Sequence, residues 1–392
     1  MLRRLRYGTL TLHDGERSRT FGEPDGSGPA VDLTVREASF WPRVLKGGSS
    51  GLGESYFLGE WESEDLVAVL ELLTKNLSRI NRLPRLLTPV VALAKSPARR
   101  LAPSKARDRQ NIEAHYDLGD EFFMLFLDTT MAYSSAVFPS PSSSLEAGSI
   151  EKFDRLCRKL ALGPNDHVVE IGTGWGGFAV HAAANYGCRV TTTTISAKQF
   201  AFATRRVAES GLSDLVTVLD HDYRDLVGEF THLVSIEMIE AVDWRLYDTF
   251  FAACAKLLRP DGRAALQCIV IRDSEFERYK LREDFIRRHI FPGGVLPSIT
   301  AITRALSRAT DLRLTDLEDL GPHYARTLHL WSDRLRVNAD QARELGFNEE
   351  FLRKWHFYFS YCEAGFSERH VSVVQMVLAR GEWRGTLQLR NP

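Results

Sequence analysis

Four short stretches carry residues whose types and spacing can do chemistry. The first is Glu170-Ile-Gly-Thr-Gly-Trp-Gly-Gly, which leads straight into the apolar run Phe178-Ala-Val-His-Ala-Ala-Ala. Glycines there permit a tight strand-to-helix turn and let the backbone approach a ligand closely, so Gly172 and Gly174 are candidate ligand contacts. The second stretch, Thr194-Ile-Ser-Ala-Lys-Gln199, stands where a dinucleotide site would place an acid for ribose hydroxyls, and offers polar side chains instead. The third, His221-Asp-Tyr-Arg-Asp225, supplies an acid, Asp222, and an aromatic face, Tyr223, suited to adenine; a turn-forming aspartate and a packed aromatic are the alternative. The fourth, Glu237-Met-Ile-Glu240, sets two carboxylates three residues apart. If it begins a helix they share a face, and one can have a raised pKa and act as a base; otherwise Glu237 is a hydrogen-bonded acid lining a pocket.

The glycine spacing G-x-G-x-G-G is not the dinucleotide fingerprint G-x-G-x-x-G, and Glu170 precedes it at the end of a strand. With the second stretch, this favours S-adenosylmethionine over a dinucleotide as the expected cofactor.

The elements that must position these residues are legible as alternating strand and helix patterns from Ile150 onward. The predicted strands are His167–Ile171, Arg189–Ile195, Val216–Leu219, His232–Ile236 and Arg263–Ile271, with helical stretches between them. Such alternation argues for an α/β fold with a mainly parallel sheet, ligands lying beyond the carboxyl ends of its strands. Ahead of it, Gly8-Thr-Leu-Thr-Leu and Ala30-Val-Asp-Leu-Thr-Val predict a small β-containing unit to about Val44. A helix over roughly Ser63–Leu77 follows, with Leu66, Val69, Leu70 and Leu73 at helical spacing.

At 392 residues two domains are the natural expectation. A formal net charge of -1 with 26% charged residues excludes a generally basic nucleic-acid binder. Five scattered cysteines without a C-x-x-C pair suggest neither a metal site nor a disulfide framework, consistent with a reducing cytoplasm. No run approaches the ~20 apolar residues of a spanning helix, so any membrane association is expected to be peripheral. Between Lys75 and Arg109, ten basic residues face one acid, Asp108, among leucines, valines and prolines. That stretch reads either as a segment for an anionic membrane surface or as a solvated linker.

These motifs, with Asn111-Ile-Glu-Ala-His-Tyr-Asp-Leu-Gly-Asp, Met131-Ala-Tyr-Ser-Ser-Ala, Ile290-Phe-Pro-Gly-Gly-Val-Leu-Pro-Ser and His323-Tyr-Ala-Arg-Thr-Leu, resemble the cyclopropane fatty acid and mycolic acid synthases. The segment Gly51-Leu-Gly-Glu-Ser-Tyr-Phe-Leu-Gly-Glu-Trp resembles the N-terminal lipid-binding domain of the bacterial enzymes. The resemblance implies a Rossmann-like class I methyltransferase domain over 109–392, a basic linker over 81–108 and a small α+β lipid-binding domain over 1–80. It also implies an unsaturated phospholipid acyl chain as substrate, and an enzyme that is cytoplasmic and peripheral at the inner membrane surface. A second copy, as a homodimer, is a further candidate partner.

By the same resemblance Tyr133 and Ser134 contact the methionyl part of the cofactor, with Gly172 and Gly174 beneath it. Thr194 and Gln199 serve the ribose side, and Tyr223 and Arg224 border adenine. The resemblance further implies a bicarbonate base held by a cysteine, a glutamate, a histidine, a backbone position and a tyrosine. Carried over by motif these are Ser135, Glu240, Gln267, Ile269 and Tyr324, with Ser and Gln standing for Cys and His; His115 joins the candidate catalytic set from its motif.

An isolated alkene is a poor nucleophile, so methyl transfer to it needs a dry slot, aromatic faces for a carbocation, and a base. Tyr116, Phe122, Phe123, Tyr133, Phe291, Tyr324 and Trp331 are candidate faces. Glu240 is expected to serve proton removal, directly or by holding an anion, with Ser135 and Gln267 tuning which proton leaves. A proton taken from the transferred methyl closes a cyclopropane; one taken from a chain carbon, or after a hydride shift, leaves a methyl-branched or methylene product. Glu237 together with Gln267 resembles the branch that includes tuberculostearic-type methyltransferases. A non-catalytic lipid or cofactor binder is the reading from another class, and the intact glycine turn speaks against it.

Overall fold

The computed structural model describes residues 2–22, 28–77, 105 and 118–385. His115, Tyr116 and most of the basic stretch lie outside the described residues. Of that stretch, Lys75 pairs with Glu368 at 2.9 Å and Lys105 with Asp225 at 2.5 Å.

The amino-terminal unit is a sheet of order β2-β1-β3-β4, with β1 Thr9–Asp14, β2 Arg17–Gly22, β3 Ala30–Val35 and β4 Trp61–Glu62. Helix α1, Phe40–Phe57, and α2, Leu66–Lys75, complete it. Leu10, Leu12, Val31, Leu33 and Val35 alternate inward along β1 and β3, as period-two patterning requires. The predicted second helix starts at its Asp65 cap, whose carboxylate accepts the Ala68 N–H.

Two elements depart from the sequence expectation. β2 is polar and exposed along most of its length, so it carries no alternation to read. The stretch 40–57, part of which was expected to be β-rich, is helical, kinked at Gly48 (φ 58°, ψ -130°). Its glycines permit contact rather than disorder: a Cβ on Gly53 would lie 2.4 Å from the Phe285 ring and 2.7 Å from that of Phe357.

The larger sheet has order β10-β11-β9-β8-β5-β6-β7. β5 His167–Ile171, β6 Arg189–Thr194, β7 Val216–Asp220, β8 Phe230–Ile236 and β9 Leu258–Ile271 run parallel, matching the five predicted strands to within a few residues. β10 Arg313–Asp319 and β11 Val371–Ala379 were not anticipated; β11 lies antiparallel between β9 and β10. The helices of this part are α3 Asp120–Met124, α4 Leu145–Leu160, α5 Gly177–Tyr186, α6 Ala197–Glu209, α7 Tyr247–Leu257, α8 Asp273–Tyr279 and α9 Phe285–His289. They continue with α10 Ile299–Ala309, α11 Gly321–Val337, α12 Ala339–Glu344 and α13 Glu349–Ser367.

Cores lie on both faces of this sheet, as a parallel sheet needs: Val169, Leu233 and Leu266 on one, Val168, Val234 and Ala265 on the other. A third core is shared between the two parts of the chain. Trp61, Val69 and Leu72 of the amino-terminal unit pack in one apolar cluster with Trp331, Trp355, Phe357 and Phe359 of α11 and α13. Arg353 on α13 stitches the seam further, donating to the carbonyls of Tyr56 and Trp61.

Candidate active site

The glycine turn follows β5 and uses backbone geometry that only glycine adopts cheaply. Gly172, Gly174 and Gly176 have φ of 101°, 53° and 82°. The N–H groups of Gly172 and Thr173 donate to the Thr193 carbonyl at 3.0 Å, locking the turn to the end of β6. Arg206 donates to the carbonyls of Thr130 and Trp175, and Trp175 Nε1 donates to Asp120, fixing the far side. A Cβ on Gly174 would meet no protein atom within 4 Å, so that residue faces open cavity. This is the cradle a cofactor needs.

Around that cradle the candidate cofactor side chains already have hydrogen-bond partners, in two cases each other. Thr194 Oγ1 donates to Gln199 Oε1 at 2.9 Å, and accepts the Ser196 N–H. Asp222 is paired with Arg224 at 2.6 Å, and the Arg224 guanidinium lies over the Tyr223 ring. Glu170 accepts the Thr192 hydroxyl at 2.6 Å, and its burial pushes its carboxyl up to about 8. Tyr133 donates to the Tyr358 hydroxyl at 3.1 Å, while Ser134 Oγ accepts from Lys152 Nζ at 2.6 Å. All ten candidate cofactor residues line one cavity of about 1800 Å³.

The proton-handling side is built differently. Glu237 follows β8 in the left-handed region (φ 49°), a conformation that costs a non-glycine residue about 1–3 kcal/mol. It is therefore not in a helix with Glu240, which sits in the 3-10 turn Ile239–Ala241; the two carboxylates still approach closely enough for the charge of Glu237 to raise Glu240. The carboxylate of Glu237 accepts the Ser135 N–H (2.8 Å) and Gln267 Nε2 (2.9 Å) on one oxygen, and the Tyr324 hydroxyl (2.7 Å) on the other. Glu240 accepts the Ile269 N–H on Oε1, and its Oε2 has no hydrogen-bond partner among the described residues.

The residues assigned by resemblance to an anion pocket thus converge, but with a different partition from the one expected. Tyr324 bonds Glu237 rather than Glu240. Ser135 contributes its backbone N–H, because its hydroxyl donates to the Ala136 carbonyl. The Ser135 N–H, the Tyr324 hydroxyl and one Gln267 N–H terminate on the Glu237 side chain and the Gln267 amide also donates to the Ser135 carbonyl, so these donors are not free for a separate bicarbonate, and the donor set does not fit one.

Burial pushes Glu240 up to about 8, with the Glu237 charge adding to it; burial also raises Glu237, against the opposing pull of Gln267, Lys152, Tyr324 and Ser135. Three donors on the Glu237 oxygens favour its charged form, against one backbone N–H on those of Glu240.

Two residues that support this pocket went unread in the sequence. Lys152 is fully buried, its ammonium pushed down to about 8 by burial while Glu237 and Asp128 favour its charge. Its position with Ser149, Phe153 and Leu156 on one face of α4 was the available signal. Gln375, opposite Gln267 in the β11–β9 register, donates to Gln267 Oε1 at 3.0 Å and fixes the direction of that amide. Among the candidate aromatic faces, Tyr133, Phe291 and Tyr324 line the cavity, whereas Phe122, Phe123 and Trp331 are fully buried core.

A seven-stranded sheet with one antiparallel strand beside its end, and a glycine turn opening a cavity at the carboxyl ends of its strands, defines the class I fold of S-adenosylmethionine-dependent methyltransferases. Comparison with known proteins narrows this: the profile of the mycolic acid cyclopropane synthetase family matches residues 103–376, and the chain belongs to that family. It is 39% identical over 381 residues to the tuberculostearic acid methyltransferase UfaA1 of Mycobacterium tuberculosis, covering 95% of this chain and 87% of that protein. It is 35% identical over 364 residues to the cyclopropane-fatty-acyl-phospholipid synthase of Escherichia coli, covering 92% and 91%. Among solved structures it is similar to the mycolic acid cyclopropane synthase CmaA1 complexed with SAH and CTAB, with TM-score 0.65 and 32% identity over 72% of this chain and all of that one. The chain is an S-adenosylmethionine-dependent methyltransferase.

Proposed function

We propose that this enzyme transfers a methyl(ene) group from S-adenosylmethionine to the double bond of an unsaturated acyl chain carried by a phospholipid, giving a cyclopropane-bearing chain. The observation that carries this reading is the cavity. At about 1800 Å³ it exceeds the roughly 300–1,000 Å³ of ordinary small-molecule sites. It runs from the glycine turn past Glu237 and Glu240 to Leu10, Leu12 and Leu33 of the amino-terminal sheet. That is room for a cofactor and a long apolar chain together.

The cofactor, when bound, supplies an electrophilic methyl on a sulfonium. The chain's own residues do the rest: Thr194, Gln199 and Tyr223 orient the nucleoside end, and Tyr133 and Ser134 border the methionyl end. The rings of Tyr133, Phe291 and Tyr324 shield a cationic carbon from water and offer it π faces. The similarity to a phospholipid synthase supports the lipid assignment. The amino-terminal unit and the basic stretch from Lys75 recruit lipid at the cytoplasmic face of the inner membrane.

A second reading, a methylene- or methyl-branched product, is favoured by Ser135 and Gln267 in the cysteine and histidine positions and by the similarity to a tuberculostearic acid methyltransferase. One experiment tests both. Purified enzyme is given methyl-labelled S-adenosylmethionine and vesicles of an unsaturated phospholipid, and the acyl chains are analysed by mass spectrometry. A labelled chain heavier by one CH2 with no remaining double bond is expected for ring closure; a labelled chain retaining unsaturation identifies the branch. No label in lipid refutes the proposal.

A further inference from the structure

We propose that Glu237 is the resident base of this enzyme, its side chain taking the place of a diffusible anion. The inference rests on the reading of the reaction as methyl transfer to an alkene, and deepens it.

Proton loss from a carbocation needs an ionised acceptor held beside the cationic centre; the acceptor's strength matters little, because the proton is very acidic. Four observations mark Glu237. It lines the same cavity as the glycine turn. Three donors from three separate segments, Ser135 N–H, Gln267 Nε2 and Tyr324 OH, converge on its two oxygens. The buried ammonium of Lys152 lies near enough to favour its charge. Its backbone is held in a strained left-handed turn, which persists only where the surroundings over-determine it, a pattern concentrated at functional sites. Glu170 is spent on Thr192 at the far end of the turn, and Asp222 on Arg224. The Glu240 carboxylate, close by, accepts the Ile269 N–H on one oxygen.

The step balances without another reactant. The alkene π pair forms the carbon–carbon bond to the methyl, and sulfur keeps the pair of the broken sulfur–carbon bond. Glu237 then accepts a proton, either from the transferred methyl, whose C–H pair closes the ring onto the cationic carbon, or from a carbon adjacent to the cation, whose C–H pair forms the new double bond. The carboxylic acid so formed loses its proton to solvent before the next turnover. Gln267, itself fixed by Gln375, is a positioning residue: it sets where the accepting oxygen stands and hence which proton leaves.

The test uses the full chain with S-adenosylmethionine and unsaturated phospholipid vesicles, in buffer purged of carbon dioxide. Wild-type turnover is expected to change less than twofold when bicarbonate is added. Glu237→Gln, with the same shape and no basic oxygen pair, should bind S-adenosylmethionine normally by calorimetry and lose about 10²–10⁴-fold in turnover, the range for a removed acid–base group. Glu237→Gly suits the positive φ and empties the seat; formate or bicarbonate should restore its turnover at least tenfold, which a merely structural role would not allow. Wild-type turnover that collapses without bicarbonate would overturn the proposal. So would wild-type rates in Glu237→Gln, or failure of both anions to rescue a Glu237→Gly that still binds cofactor. If Glu237→Gly does not fold, the Gln variant and the bicarbonate dependence decide. A wild-type enzyme that labels no lipid at all counts against the proposed function instead, so the two failures are distinguishable.

Discussion

The cofactor turn and the proton pocket follow the ends of neighbouring strands, β5 and β8, yet they are made of different material. The turn is shaped by backbone: three glycines at positive φ, a pair of N–H groups on one carbonyl, and side chains already bonded to each other. The pocket is shaped by side chains: two carboxylates, a phenol, an amide and a buried ammonium whose charges depend on one another. Damage to the first should show as lost binding, and damage to the second as lost turnover with binding intact.

The largest effect expected is in the turn. Gly174→Val forces a β-branched residue to φ 53° and fills the open cradle, so calorimetry should detect no S-adenosylmethionine binding. Unchanged affinity would place the cofactor elsewhere. Next comes a contrast inside the pocket. Glu240→Gln imitates the protonated acid that burial already favours at pH 7, so its turnover should stay within about tenfold of wild type, against the about 10²–10⁴-fold loss for Glu237→Gln. Equal losses would dissolve the distinction between the two carboxylates. Smaller again, Thr194→Val removes the hydroxyl bonded to Gln199 and should weaken cofactor binding about fivefold, near 1 kcal/mol, without changing turnover at saturation.

The last effect is on stability. Because the folded Glu240 carboxyl is raised to about 8, above its ordinary value, its contribution is full at low pH and is lost as pH rises through that value. The melting temperature of Glu240→Gln relative to wild type should therefore increase steadily from pH 5 to pH 8. A pH-independent difference would mean that no proton is held there.

How far the sequence showed this follows the same division. Glycine spacing and strand alternation are local, so the turn and β5 to β9 could be read from residues near one another in the chain. β11 could not be placed, because its position between β9 and β10 depends on pairing with strands far away in the chain. Glu237 and Glu240 were recognisable as a carboxylate pair, but which of them takes Tyr324 turns on the left-handed φ at Glu237, which no glycine announces. Gln375 and Lys152 were invisible as site residues because each acts across an element boundary, through strand register or a helix face.

The shared core beneath α13 bears on how the chain is made. The amino-terminal unit leaves the ribosome first, yet Gly53 packs against the Phe357 ring and Trp61 shares its core with Trp355 and Phe357, roughly 300 residues later. At about 5–20 residues per second that is a delay on the order of 15–60 s. During it the apolar flank of α1 and α2 stays open to solvent, a natural stretch for a holding chaperone to grasp, and synthesis stopped short of α13 would leave the first-made part of the molecule permanently unfinished.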